Sequence, residues 1–269
     1  MPPRTLPDPH RHFLDRAVAL LATDPRIVGV AATGSYADDR MDESSDIDLV
    51  IAVAPEDHAA ILAERHRIAA AIGPLIAGFT GEHVGEPRLL ICLYSPPLLH
   101  VDLKFVALPD AAVRVDDPVV LWERGAALTE VLRQRPAQYP APDAQWIEDR
   151  FWVWVHYAAA KLARGELFET LDFLAFLRAR VLAPMALVQL GLRPSGVRRI
   201  EQVAPALATR LAATVATLEA RDVSRAVGAA VALYRELRAR VTSKLELRSE
   251  AEVAAVEYLG EVSRRISLA

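Results

Sequence analysis

The chain has 269 residues, 52% hydrophobic and 25% charged, which fits one large or two ordinary globular domains and excludes a disordered chain or a coiled-coil fibre. One cysteine, Cys92, leaves no internal disulfide, thiolate-rich zinc site or redox centre to expect, and the lack of any apolar run near the roughly 20 residues of a membrane span, or of a signal peptide, points to the cytoplasm. The net charge of −4 is uneven, with 13 Lys+Arg against 20 Asp+Glu in residues 1–136 and 18 against 15 in residues 137–269, and neither half offers the basic stripe that a long nucleic acid needs.

In chain order, residues 13–22 carry helical apolar spacing that ends at Asp24-Pro25, and 27–32 form a run of β-branched and small residues that predicts a buried strand. A polar stretch over 34–45 follows, then a strand over 47–53 and a helix over 56–72 that stops at Gly73-Pro74. The runs 88–94 and 99–106, parted by Ser95-Pro96-Pro97, predict an antiparallel pair, and 119–122 a further strand. Pro136, Pro140 and Pro142 then punctuate a linker, after which strands vanish. Stretches 146–164, 167–190, 207–218, 223–244 and 250–262 all show helical spacing. The expected fold class is therefore α+β, with a mixed-sheet domain over 1–136 and an all-α helical bundle over 143–269.

The chemistry concentrates between Thr33 and Leu49. Side chains alternate along a strand, so Asp46 and Asp48 point the same way, with Cα atoms about 6–7 Å apart, while Ile47 and Leu49 face the core. Two carboxylates that close repel unless a cation lies between them, and oxygen-only ligands select a hard ion such as Mg2+. Gly34-Ser35 ends the preceding strand, where glycine lets backbone N–H groups approach an anion and serine adds a hydroxyl, as a triphosphate requires. Asp102, between Val101 and Leu103, is a third acid set among hydrophobes on a strand, where aspartate is disfavoured unless it has work to do. A P-loop is excluded, because the glycine spacing Gly29 to Gly34 is followed by Ser35 where the phosphate-binding lysine belongs.

Gly34-Ser35, the ten-residue gap 36–45, Asp46-Ile47-Asp48 and the later strand aspartate Asp102 resemble the signature of the DNA polymerase β-like nucleotidyltransferase superfamily, over roughly residues 26–106. That resemblance implies that Gly34 and Ser35 seat the phosphates, that Asp46 and Asp48 bind two Mg2+ ions, and that Asp102 is a metal ligand or general base. The proline linker and helical half are more loosely similar to aminoglycoside and lincosamide nucleotidyltransferases, whose helical domain lies on the acceptor side. Lys161 would then reach the phosphates and Glu166 would meet the acceptor as an alternative base, although both also suit the end of a helix closed by Gly165.

The expectation is thus a Mg-dependent enzyme that transfers AMP from ATP to a hydroxyl of a small molecule, such as an aminoglycoside- or lincosamide-like antibiotic, and releases pyrophosphate. Two other readings stay open here: a regulatory protein that binds nucleotide without turnover, and a transferase acting on a protein or RNA acceptor of the toxin–antitoxin type. The oligomeric state and preferred nucleotide are open as well. Arg150 and His156 are six residues apart, a spacing met in ribonuclease helical domains, but Phe151 follows the arginine where a polar residue is often found there, and a helix-surface arginine and a partly buried histidine account for them better. His10, His12, His58, His66 and His83 lack metal-ligand spacing and are read as surface residues.

Overall fold

The computed structural model describes residues 3–268. The chain divides into two compact units, the first ending at Tyr139 and the second beginning at Pro140.

The first unit is built on one mixed sheet. Helix α1 (Asp8–Leu21) leads into β1 (Ile27–Ala32) and β2 (Ile47–Val53). After α2 (His58–Ile72) come β3 (Leu75–Gly81), β4 (Glu86–Tyr94), β5 (Leu99–Ala107), β6 (Val119–Glu123) and the short helix α3 (Ala127–Arg133). The strands lie in the order β3-β4-β5-β2-β1-β6. All neighbours are antiparallel except β2 and β5, which run parallel because α2, β3 and β4 intervene and return the chain to the same end of the sheet. The antiparallel pair expected around Ser95-Pro96-Pro97 is β4 and β5. Strand β3 was not expected: its exposed Ile76, Ala77 and Phe79 and its glycines Gly78 and Gly81 give no hydrophobic alternation, and it lies at the edge of the sheet.

Alternation decides which sheet face is covered. Ile47, Leu49 and Ile51 of β2 and Val101, Leu103 and Phe105 of β5 are buried in one cluster with Phe13, Leu14, Ala17 and Leu21 of α1 and Ile61, Ile68 and Ile72 of α2. The opposite face is divided. Toward the ends of β2 and β5, Ala52 and Val106 are roofed by Leu128 and Val131 of α3. Toward their beginnings the same face carries Asp48, His100, Asp102 and Lys104, all only partly buried or exposed.

The second unit contains helices and, among the described residues, no strands. It comprises α4 (Ala144–Ala163), α5 (Leu167–Leu177), α6 (Ala183–Gln189), the short α7 (Ile200–Val203) and α8 (Pro205–Ala212), and then α9 (Ala220–Ala239) and α10 (Ser249–Leu268). The single helix expected over 167–190 is interrupted by a π-helical turn at Arg178–Leu182 just before Pro184, whose ring cannot donate to the preceding turn. Asp143 caps α4 by accepting from the Trp146 N–H at 2.9 Å. Phe151, Trp152 and Val155 of α4 pack with Tyr234 of α9, the Phe151 and Tyr234 rings stacked at 3.6 Å. Trp152 is therefore core, and Arg150 lies over the Trp146 ring while His156 lies beside Tyr258.

Candidate active site

The site starts where β1 ends. Thr33 donates its N–H to the Asp48 carbonyl at 3.0 Å, and the chain then turns away at Gly34 with φ of +62°, in the left-handed region that glycine enters without steric cost. A Cβ at this position would overlap Oδ2 of Asp48, so the missing side chain is what gives that carboxylate its space. The chain continues in tight turns, with Asp38 N–H donating to Gly34 O at 3.2 Å and Arg40 N–H to Ser35 O at 3.0 Å. Tyr36 and Met41 plug this loop into the sheet core. Ser35 Oγ is buried with no hydrogen-bond partner, a hydroxyl free to donate to a ligand.

Strand pairing brings the acids together. Asp48 and Asp102 are direct register partners across the parallel β2/β5 pair, and Asp46 precedes β2 on the same side. Burial raises the Asp102 carboxyl above the ordinary aspartate value; His100 opposes that rise and the neighbouring charge of Asp46 adds to it. His100 Nε2 lies 3.1 Å from Asp102 Oδ1. No three His, Cys, Asp or Glu side chains are gathered into a ready metal cage among the described residues. The backbone nonetheless places three carboxylates on one open face beside a glycine cradle and an unsatisfied serine hydroxyl. That all-oxygen set fits a hard divalent cation and the phosphates it accompanies.

Lys161 and Glu166 belong to the helical unit. Gly165, with φ of +73°, closes α4, and the Glu166 N–H donates to Lys161 O at 3.0 Å, a helix-ending pattern that satisfies the final carbonyls. Lys161 Nζ pairs with Glu166 at 2.8 Å and Glu169 at 2.7 Å, and Arg164 Nε with Glu166 at 2.8 Å. Two residues next to the acids escaped the sequence reading. His100 shares a strand face with Asp102 two positions on, a spacing that would have revealed it. His10, read as a surface residue, is 2% exposed, because its position on α1 falls on the face that carries Phe13, Leu14 and Ala17.

Residues 15–76 match the family model described as a nucleotidyltransferase domain. The match spans 62 of the 269 residues and includes Gly34, Ser35, Asp46 and Asp48, so a nucleotidyltransferase-domain likeness lies on the stretch that forms the site. Enzymes of this family generally use a nucleoside triphosphate and a divalent metal. No curated protein sequence matches the chain. Among solved structures, an aminoglycoside 6-adenyltransferase from Bacillus subtilis is 16% identical with a TM-score of 0.33, covering 95% of this chain and 96% of its own. A nucleotidyltransferase-like protein from Exiguobacterium sibiricum 255-15 is 14% identical with a TM-score of 0.38, covering 92% of this chain and 77% of its own. At those scores the likenesses add nothing to the family match.

Proposed function

We propose that the protein transfers AMP from Mg-ATP to a hydroxyl of a small molecule and releases pyrophosphate. The observation that carries this reading is the pairing of Asp48 with Asp102 across β2 and β5, with the bare Cα of Gly34 packed against the Asp48 carboxylate. Asp46 and Asp48 would hold two Mg2+ ions, which when bound supply positive charge to the phosphates, and Asp102 would complete the set as a further ligand or serve as the base. Gly34 and Ser35 seat the phosphate chain, the glycine by admitting the backbone and the serine by donating its hydroxyl.

The acceptor oxygen bonds to the α-phosphorus as the bond from that phosphorus to the pyrophosphate oxygen breaks, and the hydroxyl proton passes to Asp102. Glu166 is the weaker candidate for that proton, since it already accepts from Lys161 and Arg164.

The deciding experiment is hydroxyl-dependent release of pyrophosphate from ATP and Mg2+, with α-labelled ATP to follow the AMP. Wild type should label a small-molecule acceptor, and the double variant Asp46→Asn, Asp48→Asn should not, while its melting temperature holds or rises because two like charges have gone. Label on a macromolecule alone, or a double variant as active as wild type, overturns the proposal. Asp102→Asn should cut turnover by roughly two to four orders of magnitude with ATP affinity less affected, because proton transfer counts in the transition state.

A further inference from the structure

We propose that the segment from Arg4 to His10 is a brace for the metal-binding loop, and that His10 is a positioning residue for Asp46. This inference rests on the nucleotidyl-transfer reading above. The brace lies outside residues 15–76, so the matched domain does not contain it.

His10 Nε2 lies 2.8 Å from the carbonyl oxygen of Ser45. A carbonyl only accepts, so Nε2 carries the hydrogen, and in the neutral ring Nδ1 keeps the lone pair. Nδ1 is buried with no partner. A leucine would fill this place without stranding a nitrogen, so what the imidazole contributes here is its one donor. The Ser45 carbonyl belongs to the peptide unit that includes the Asp46 nitrogen, and that unit is planar. Fixing the oxygen therefore fixes the plane from which Asp46 departs.

Elsewhere the loop is tied mainly to itself. Ser44 N–H donates to Asp42 Oδ1 at 2.9 Å and Ser45 N–H to Asp42 O at 3.1 Å, which makes a closed turn on an exposed surface. His10 joins that turn to the core. Two further ties come from the same segment. The Arg4 N–H donates to Asp39 Oδ1 at 2.7 Å and its Nε to Oδ2 at 3.2 Å, at a residue held with φ of +53°. Leu6 is buried in the same cluster as Tyr36 and Met41 of the loop.

The test compares His10→Asn with His10→Gln. The glutamine amide nitrogen sits where Nε2 sat and the asparagine amide nitrogen where Nδ1 sat, so only glutamine restores the donor to Ser45. Mn2+ binding in the presence of a non-hydrolysable ATP analogue is measured by electron paramagnetic resonance, and affinity for the analogue without metal by calorimetry. The expected result is Mn2+ affinity lowered roughly tenfold or more in His10→Asn, recovery in His10→Gln, and metal-free nucleotide affinity alike in all three. Wild-type Mn2+ affinity in a folded His10→Asn, or loss that glutamine does not rescue, overturns the brace alone. Failure of wild type to bind Mn2+ with the analogue overturns the nucleotidyl reading and the brace with it. If His10→Asn does not fold, the ring 15N resonances of wild-type His10 decide: they shift on adding Mg2+ and the analogue if His10 couples to the site, and stay fixed if it only packs the core.

Discussion

Gly34 shows how one missing side chain can shape the site. Its φ of +62° and the carboxylate of Asp48 against its Cα give it two independent reasons to be glycine. Gly34→Val meets both the backbone strain and the overlap, and should abolish measurable ATP binding in calorimetry. Ser35→Ala keeps the backbone amides and loses one hydroxyl contact, so it should weaken binding by only about 1 kcal/mol. Equal losses from the two would mean that the loop acts through something other than this cradle. The Asp46-Ile47-Asp48 alternation was legible in the sequence because a strand has one period and its faces follow from it. The burial of His10 was not, since a single polar residue on an amphipathic helix gives no hint of which buried group it will meet. His100 was in plain view two residues from Asp102 and needed only the same alternation rule.

Among the elements, the pairing of β2 with β5 matters most, because a slip of one residue would turn Asp102 to the covered face. The carboxylates lie at one end of the open face, and α3 roofs the other. α3 approaches β1 closely: a Cβ on Gly29 would stand 2.9 Å from both Cβ and Cδ2 of Leu128. Gly29→Ala should therefore push α3 off the strand, costing about 1–3 kcal/mol in a denaturant melt. A neutral result would show that α3 is free to move. Neither α3 nor β3 was visible in the sequence. Helix α3 has only seven residues, and β3 is an edge strand whose Phe79 and Ile76 are more than half exposed, so neither gives the periodic burial on which sequence reading depends. The long helices α4 and α9 were legible because each buries a full apolar stripe.

For the whole molecule, the helical unit and the sheet unit keep separate cores, the latter on both faces of its sheet, and this follows from the change of grammar near the proline linker, strands before it and Ala-Leu helices after. The helical core has a polar fastening of its own. In the helical unit the Glu148 side chain is 0% exposed; it accepts from Tyr234 Oη at 2.6 Å, Trp152 Nε1 at 3.2 Å and the Arg248 N–H at 3.0 Å, and pairs with Arg238 at 3.1 Å. Burial pushes its carboxyl up, but those hydrogen bonds and the Arg238 charge bring it below the ordinary glutamate value of 4.5. A carboxyl depressed by folding contributes stability above its unfolded value and loses it as pH falls through the folded one. The helical unit should thus hold above pH 4.5 and weaken below it. Glu148→Ala should cost about 3–5 kcal/mol at neutral pH and remove that acid step, because Arg238 is left without this partner. Circular dichroism at 222 nm across a pH series would check both.

Cys92 makes the sheet unit separately observable. It is the one cysteine of the chain, it lies in β4 beside β5, and burial pushes its thiol up to about 12. Only the thiolate reacts with an alkylating reagent, and a buried, protonated sulfur offers none at neutral pH. The speed of modification is therefore a clock for the opening of the strand next to Asp102, under the cover of α1 and α2. A ligand that clamps the carboxylates should slow that clock in proportion to its occupancy, which turns one inert side chain into a gauge of binding that needs neither turnover nor a known acceptor.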